Sequence, residues 1–256
     1  MEAYAGIAEL YDQEHDQFAD DVEWYTHLAQ VAGPRVLELG CGSGRLMAPL
    51  ATAGNHVTGV DSSAAMLGRA EGRLQGAIAR KQAFLVHGNM EELSKLLPGP
   101  FDLVIIPLNG LLHVDEGESQ RRVLQQAAEV LRPGGLLAVD VLHAVPDALA
   151  MYDGRVVLEG TWEDGASVIS KFSSRTTDWT NQRIESEIWY DIAGQDGTVK
   201  RQRTEIPMRW LTPAEVASML ELTGFEGWTL AGNYDGSPLT DLSDRLLVVA
   251  RNDEGN

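Results

Sequence analysis

A glycine-rich turn between two short apolar segments constrains this sequence more than any other feature. Residues 36–44 read VLELGCGSG, with glycines at 40, 42 and 44, and residues 57–61 read VTGVD. An apolar strand that runs into closely spaced glycines and then a helix is typical of a crossover that binds a nucleotide. The second strand ends on Asp61, 17 residues after Gly44. A carboxylate in that place can accept hydrogen bonds from ribose hydroxyls.

The spacing of the glycines and the charge beside them restrict which ligand this turn can bind. A dinucleotide fingerprint, G-x-G-x-x-G, needs a third glycine where this chain has Arg45, and no Gly-Lys-Ser/Thr of a phosphate loop follows. Glu38 precedes Gly40 by two residues, and its carboxylate would repel a pyrophosphate held at the helix N-terminus. S-adenosylmethionine has no phosphate and carries a sulfonium and an ammonium, so the acidic strand end favours it. A nicotinamide oxidoreductase is the alternative that Arg45 and Glu38 argue against.

The remaining patterns predict a doubly wound α/β fold with an insertion. Apolar strands alternate with helical patterns, which predicts a mostly parallel sheet, with strands at 35–39, 56–60, 84–87, 101–106 and 136–142. The helices are predicted at 4–32, 44–53, 63–80 and 116–131. Turn signals separate four further strands, which predicts an antiparallel meander over 155–163, 167–177, 183–192 and 199–208. A capping box at Thr212 begins a last helix, and a closing hairpin is expected at 228–234 and 245–251.

Composition excludes several classes of function. The net charge of −18 argues against a nucleic-acid substrate, because Lys and Arg carry affinity for phosphate backbones. One cysteine excludes a disulfide framework and a cysteine-based metal cluster, and no His/Asp/Glu group has metal-ligand spacing. Neither a secretory signal nor a membrane-spanning run is visible. We therefore expect a cytoplasmic, metal-independent protein with no membrane partner.

Four more motifs, together with the turn, resemble the class I S-adenosylmethionine-dependent methyltransferases of small-molecule type. They are residues 57–67, 87–90, 106–109 and 131–135, and the similarity covers most of residues 33–145. The resemblance implies a seven-stranded Rossmann-like sheet with an antiparallel last strand, and S-adenosylhomocysteine as product. It also implies three parts: a helical lid at 1–32, a cofactor-binding domain at 33–150 and 210–256, and an inserted sheet at 151–209. The insert would roof the acceptor or join subunits of a homo-oligomer.

The same resemblance implies contacts to the methionine part of the cofactor. The glycines Gly40, Gly42 and Gly44 would pass the backbone close to it, and Glu38 would support its ammonium. Cys41 is expected in the turn as a small residue and not as a nucleophile, because the sequence places no base beside it.

Contacts to the adenosine part and to the methyl group are implied as well. Asp61 would bind the ribose, and Ser62 and Met66 would flank the adenosine. Asn89 stands where the family often has Asp at the adenine edge, and Met90 would pack against the ring. Two residues after the fourth strand would lie near the methyl group, Leu108 and Asn109.

The residues that handle the acceptor are less constrained. An amine acceptor needs only to be neutral and positioned, whereas a phenol or alcohol needs a base. His113 and His143 each follow a strand end and are candidates for a base or a substrate contact, with a structural role as the alternative. Tyr4 and Tyr11 lie in the expected lid, and Tyr11 resembles a tyrosine of glycine- and aminosugar-type N-methyltransferases, with an anchoring aromatic as the alternative. His113 and Tyr11 are the predicted catalytic residues.

Tryptophans at or near the edge of the insert point to one acceptor chemistry. They are Trp162, Trp179, Trp189 and Trp210. Aromatic walls among acidic residues suit an amine-bearing molecule, while ordinary core packing is the alternative. We therefore predict methyl transfer to an amine nitrogen of a small molecule by in-line displacement. A small-molecule O-methyltransferase with a histidine base and a non-catalytic S-adenosylmethionine-binding protein are the alternatives.

Overall fold

The computed structural model describes residues 3–253. The first two residues of the expected lid and the last three of the expected cofactor-binding domain lie outside the described residues. Within this range the chain forms eleven strands: β1 (Arg35–Leu39), β2 (His56–Asp61), β3 (Ala83–His87), β4 (Phe101–Ile106), β5 (Leu131–Leu142), β6 (Asp153–Asp164), β7 (Ser167–Asp178), β8 (Arg183–Ala193), β9 (Val199–Arg209), β10 (Phe225–Ala231) and β11 (Arg245–Asn252).

Eight α-helices connect or cover these strands. They are α1 (Ala8–His15), α2 (Val22–Ala32), α3 (Met47–Thr52), α4 (Ala64–Ala79), α5 (Leu93–Leu96), α6 (Gly117–Val130), α7 (Pro146–Ala150) and α8 (Pro213–Leu222). Two 3₁₀ turns, Ala5–Ile7 and Gly110–His113, matter for the site. The helix caps follow the sequence: the Ser63 hydroxyl accepts from the backbone N–H of Met66, and that of Thr212 accepts from Glu215.

The larger sheet has the predicted doubly wound, mixed arrangement. Its seven strands lie in the order β10-β11-β5-β4-β1-β2-β3, and β11 is antiparallel to both of its neighbours. β1 lies at the centre, parallel to β2 and β4. Because parallel strands are covered on both faces, β4 is apolar except for Asp102 and is buried along nearly its whole length. The carboxyl ends of β1, β2 and β4 therefore meet at one edge of the sheet, where ligands bind in such folds.

The smaller sheet contains the four predicted antiparallel strands in sequence order, β6-β7-β8-β9. Each observed strand starts and ends within two residues of its predicted bounds. One face packs against the N-terminal segment through an apolar cluster that includes Ile7, Leu10, Ile188 and Ile206. The segment thus lies between the smaller sheet and the carboxyl edge of the larger one.

Four predicted elements differ from the structure. The first strand of the closing hairpin, expected at 228–234, is β10 and spans Phe225–Ala231. The helix expected at 4–32 is two helices, because residues 16–21 turn aside so that the carbonyl of Phe18 and the carboxylate of Asp21 reach Arg45. The helix expected from residue 44 begins at Met47, since Gly44 is in the left-handed region at φ +78°. β5 starts at Leu131 and not at 136, because Leu131 already pairs with Phe101.

Candidate active site

The glycine turn closes one side of a cavity of about 370 Å³ at the carboxyl edge of the larger sheet. The backbone N–H groups of Gly40 and Cys41 donate to the Val60 carbonyl, which ties the turn to the end of β2. Gly42 has φ +54°, a region that a side chain at this position would strain. Its N–H donates to Asp61 Oδ2 at 2.7 Å. These backbone contacts therefore fix the turn against the end of β2, and the conformation at position 42 favours glycine.

Glu38 is the most unusual group in this cavity. Its side chain is 3% exposed, and its Oε2 atom has no hydrogen-bond partner among residues 3–253. Burial raises the pKa of this carboxyl to about 8, and the nearby carboxylates Asp21 and Asp61 add to the increase while Arg45 opposes it. A buried acceptor oxygen without a partner is costly unless a ligand supplies a donor. The ammonium of S-adenosylmethionine is such a donor, so this observation fits that ligand.

Asp61 lies at the end of β2, as the sequence predicts. Besides the bond from Gly42, its Oδ1 accepts from the Ser63 N–H at 2.8 Å. Burial raises the pKa of Asp61, and the backbone donors Ser63 and Gly42 counter this effect. Each carboxylate oxygen has a second lone pair, so Asp61 can still accept from ribose hydroxyls. The helix cap itself is Ser63, and Asp61 is left as an acceptor in the cavity wall.

The expected adenosine contacts line the same cavity. Ser62, Met66, Asn89 and Met90 all border it. The Asn89 side chain also caps a 3₁₀ turn, because its Oδ1 accepts from the Glu91 N–H at 3.0 Å. Asn89 Oδ1 therefore already accepts one hydrogen bond, and the amide N–H₂ can donate to a ligand.

Cys41 lines the cavity but is not built as a nucleophile. The residue is buried, and that burial raises the pKa of the thiol well above its usual value, with Glu38 and Asp61 adding to the effect. A thiol kept protonated is unreactive.

The two residues after β4 are in an uncommon conformation. Leu108 and Asn109 have φ +46° and +66°, which non-glycine residues rarely adopt. Two bonds from β5 hold them: the Leu142 N–H donates to Asn109 Oδ1 at 2.6 Å, and the Asn109 N–H donates to the Asp140 carbonyl. Leu108 borders the cavity of Glu38, whereas Asn109 borders a neighbouring one.

That neighbouring cavity, of about 390 Å³, lies between the N-terminal segment and the smaller sheet. It shares four lining residues with the first cavity, Tyr4, Tyr11, Leu108 and His113. We call the first the donor cavity and the second the acceptor cavity. The shared residues stand where the two spaces meet, which is where a methyl group would pass.

His113 and Tyr4 form a direct pair at this junction. The Tyr4 hydroxyl lies 3.0 Å from His113 Nε2, and His113 also donates to the carbonyl of Pro207. His113 therefore donates to the carbonyl and accepts from Tyr4. Burial lowers the pKa of His113 to about 4, and burial likewise raises the pKa of Tyr4, with Tyr11 and Asp61 adding to that increase. Both groups are neutral near pH 7.

Tyr11, the other predicted catalytic residue, packs against Tyr4 edge-on, with ring centroids 5.3 Å apart, and stacks on His15 at 4.0 Å. Burial raises its pKa to about 12. Its hydroxyl has no hydrogen-bond partner in the part of the chain that the structure describes. Tyr11 thus offers a neutral hydroxyl to whatever occupies the junction.

Arg45 connects the glycine turn to the N-terminal segment. Its guanidinium donates to both carboxylate oxygens of Asp21, at 2.9 and 2.5 Å, and to the Phe18 carbonyl at 2.9 Å. Asp21 is fully buried. Sequence reasoning used Arg45 only as a missing glycine and overlooked this contact, which an unpaired arginine beside an acidic helix could have suggested.

A second network that the sequence did not reveal lies beneath the junction. Asp140 on β5 is fully buried and accepts from the Tyr234 hydroxyl at 2.5 Å and from Arg245 Nη1 at 3.0 Å. The backbone N–H of Leu108 also points at it, at 3.3 Å. The network supports the strained residues after β4. An acidic residue inside a predicted buried strand was the available signal.

Two expectations about the acceptor side do not agree with the structure. His143 borders neither described cavity, and its Nδ1 lies 3.1 Å from the Ser243 carbonyl, which is a structural contact. None of the four tryptophans is among the described residues that line the two cavities. Trp162 donates to Gln13, Trp210 belongs to a buried cluster with Trp179 against it, and Trp189 stacks on Phe172. The expected tryptophan wall is wrong, and tyrosines at the junction supply the aromatic surface.

Residues 3–253 contain neither a candidate metal cluster nor a candidate membrane-spanning helix. No group of three or more His, Cys, Asp or Glu side chains among residues 3–253 is arranged to hold a metal ion. None of the helices in that range is long and apolar enough to cross a membrane.

Comparisons with known proteins agree with this geometry. Residues 36–135 match a family described as "Methyltransferase domain". The cypemycin N-terminal methyltransferase of a Streptomyces species is 28% identical over 228 residues, covering 89% of this chain and 87% of that protein. A ubiquinone biosynthesis O-methyltransferase of Aromatoleum aromaticum is 37% identical over 114 residues, covering 44% of this chain and 46% of that protein. Related O-methyltransferases are likewise aligned over about half of their own length.

A solved structure has the same fold. The S-adenosylmethionine-bound amino pentose methyltransferase of Micromonospora echinaspora superposes with a TM-score of 0.72 at 22% identity. The superposition covers 93% of this chain and 90% of that one.

Proposed function

We propose that this chain is an S-adenosylmethionine-dependent methyltransferase and that it transfers the methyl group to an amine nitrogen of a small molecule. The observation that carries this proposal is the neutral Tyr4–His113 pair at the junction of the two cavities. When bound, S-adenosylmethionine supplies an electrophilic methyl group on a sulfonium. The residues of this chain then need to bind the donor and the acceptor, orient them and exclude water.

The donor cavity would hold S-adenosylmethionine through complementary charge. Glu38 Oε2 would accept from its ammonium, which gives that orphaned oxygen a partner. Asp61 would accept from the ribose hydroxyls, and Met66 and Met90 would pack against the adenosine. The cofactor-binding residues proposed from sequence all border this cavity except Asn109 and Gly44, which would act by shaping the backbone around it.

The low pKa of His113 argues against O-methylation with a histidine base. A phenol has a pKa of about 10, so moving its proton to a group of pKa about 4 costs about 8 kcal/mol. An amine that arrives neutral needs no such transfer, because its lone pair is already available. Tyr4 Oη donates to His113 and keeps lone pairs that can accept from the amine N–H. We therefore assign Tyr4, Tyr11 and His113 to orienting the nucleophile.

The extent of the alignments with the relatives also supports methyl transfer to nitrogen. The aligned region of the N-terminal methyltransferase covers 89% of this chain, so it must include much of the smaller sheet. That sheet forms one wall of the acceptor cavity. The O-methyltransferases match over about half of the chain, close to the size of the methyltransferase domain alone.

A panel of amines and phenols, scored by release of S-adenosylhomocysteine, tests this proposal. We expect turnover of amines, with a rate that rises with pH up to the pKa of the amine itself. The midpoint should therefore move when an amine of lower pKa is used. Turnover of phenols alone, or a midpoint near pH 4–7 that stays fixed across amines and shifts in His113→Asn, would contradict amine transfer without a base. Binding of S-adenosylmethionine with no turnover of any acceptor would favour the non-catalytic alternative.

The parts of the chain would divide this work. We propose that residues 33–150 and 210–256 bind the donor, and that residues 1–32 and 151–209 enclose the acceptor. The expected cytoplasmic location and metal independence stay predictions, which cell fractionation and assays with EDTA would test.

We also propose that the smaller sheet joins two copies of the chain. β6 is its edge strand, and Val156, Val157 and Leu158 on it are each more than half exposed. An exposed apolar edge is suited to pairing with a second copy. Sedimentation should give a dimer for the wild type and a monomer for Val157→Lys, and a wild-type monomer would refute this arrangement.

A further inference from the structure

Four alternating charges stand in a row beside the acceptor cavity, and three of them line it: Glu14, Lys171 and Arg175. Lys171 Nζ lies 2.5 Å from Glu14 Oε1 and 2.9 Å from Glu159 Oε2, and Arg175 Nη1 lies 2.5 Å from Glu159 Oε1. The order is thus negative, positive, negative, positive, with Arg175 at one end. The second oxygen of Glu14 accepts from the Tyr190 hydroxyl, so both acidic groups are engaged on both oxygens. The positive end of the row is the side left open to a ligand.

Arg175 keeps donors that the protein does not use. Its Nη1 donates to Ser173 and pairs with Glu159, while Nε and Nη2 have no hydrogen-bond or ion-pair partner within residues 3–253. The guanidinium lies over the Tyr152 ring, 5.7 Å from its centroid, which fixes its plane. Arg175 therefore presents oriented donors at the cavity wall.

Ser186 stands directly opposite Arg175 in the pairing of β7 with β8. Side chains paired across two strands are close neighbours on the same face. Ser186 is 4% exposed, borders the acceptor cavity, and its Oγ has no partner in the described chain. A buried hydroxyl without a partner calls for a polar group from a ligand. Arg175 and Ser186 together make a pair of unused donors.

We propose that Arg175 and Ser186 bind a carboxylate on the acceptor, so that the substrate is an amine that also carries a carboxylate. The remaining cation of the cavity, Arg245, is already paired with Asp140. Lys171 and Arg175 are balanced by Glu14 and Glu159, so the row is neutral and tolerates one added negative charge better than two. A carboxylate therefore fits better than a dianionic phosphate. The proposal rests on amine transfer at the junction and specifies the other end of the same substrate.

The test compares matched amines in the wild type. A series of ω-amino acids of increasing length is assayed with S-adenosylmethionine. Each amino acid is compared with the unbranched alkylamine and with the ω-aminoalkyl phosphate of the same chain length. At the length that spans the cavity, kcat/KM for the amino acid should exceed that of the alkylamine about 10- to 100-fold, as expected for charge-assisted hydrogen bonds. Arg175→Met should remove this preference, Arg175→Lys should keep part of it, and Ser186→Ala should reduce it about fivefold.

A matched control removes a cation from the other face of the same sheet. Arg203 on β9 pairs with Trp189, whose side chain points away from the face that carries Tyr190. Arg203→Met makes the same change in net charge and should leave the preference unchanged. A loss of preference in this control would mean that overall charge, and not Arg175, attracts the carboxylate.

The outcomes separate this inference from the proposed function. If amines are methylated with no preference for a carboxylate, or with a preference for the phosphate, the inference is overturned while amine transfer stands. If phenols alone are methylated, amine transfer fails, and calorimetry decides the inference separately. Unbranched carboxylates without an amine should then bind the S-adenosylhomocysteine-loaded wild type but not Arg175→Met, and equal binding to both would overturn the assignment.

Discussion

Affinity for S-adenosylmethionine should rise roughly 20- to 50-fold between about pH 6 and about pH 8, because Glu38 must lose a proton before it can balance the ligand's ammonium. The carboxyl is almost fully buried, and that burial raises its pKa to about 8. At lower pH the free protein holds a neutral carboxylic acid in this place. Binding then releases a proton, and the release weakens the observed affinity.

The size of the effect follows from the pKa. For a pKa of about 8, ionising the carboxyl costs about 2.7 kcal/mol at pH 6 and about 0.4 kcal/mol at pH 8, where half of it is already ionised. A carboxyl of ordinary pKa, about 4.3, would be ionised over this whole range and would give a flat profile. Above about pH 8 the α-amino group of the ligand loses its own proton, so the affinity should fall again. The profile should therefore peak near pH 8.

Isothermal calorimetry with S-adenosylhomocysteine, which has the same ammonium, measures this directly. Titrations in buffers of different ionisation enthalpy should show about one proton released per ligand near pH 6.5. Glu38→Gln cannot titrate, so its affinity should be weaker at pH 8 and flat below it. Glu226→Gln, at an exposed carboxylate far along the chain, should behave as the wild type. A flat wild-type profile, or the same slope in Glu38→Gln, would refute the reasoning.

Three further predictions concern the same region. Because the pKa of Glu38 is raised in the folded state, its contribution to stability falls as the pH rises from about 4.3 towards 8. In urea titrations, Glu38→Gln should therefore be more stable than the ligand-free wild type at pH 8, by up to about 5 kcal/mol, and nearly equal to it at pH 4. Asp61→Ala should lose the thermal shift that saturating S-adenosylmethionine gives the wild type, which corresponds to about 2.7 kcal/mol at 100 times the dissociation constant. The control Ser63→Ala should lose only about 1 kcal/mol of stability and keep the shift. An intact shift in Asp61→Ala would make Asp61 a structural residue. Arg45→Met should destabilise the fold by about 3–5 kcal/mol in denaturant titrations, since it strands the buried Asp21, and Arg45→Lys should recover part of that; a loss under 1 kcal/mol would show that the pair is dispensable.

The sequence predicts the elements well where the pattern is local. β1 and β4 have the bounds expected from their apolar runs, and Ser63 and Thr212 cap the helices that follow them. The smaller sheet was also predictable, because turn residues separate strands of regular length. The donor cavity follows from these elements, since its lining residues sit at strand ends and in the turns after them.

The acceptor cavity was less predictable, because it depends on which face of a strand a side chain occupies. Trp189 and Tyr190 are adjacent on β8, so they point to opposite faces. The sequence drew attention to the tryptophan, while the tyrosine borders the cavity and binds Glu14. A shift of one residue in register exchanges the two faces, and only the packing of the sheet against the N-terminal segment decides between them. Long-range pairs such as Glu14 with Lys171 could not be inferred for the same reason.

Arg45 shows how a departure from one motif can be the signature of another arrangement. At this position a dinucleotide-binding turn has glycine so that the helix can pack closely against the strand. Here the helix begins two residues later, and the arginine instead binds Asp21 and Phe18 of the N-terminal segment. The segment that carries Tyr4, Tyr11 and Glu14 is thereby attached to the turn that borders the donor cavity. The residue that breaks the dinucleotide fingerprint is thus also the one that joins the donor side of the site to the acceptor side.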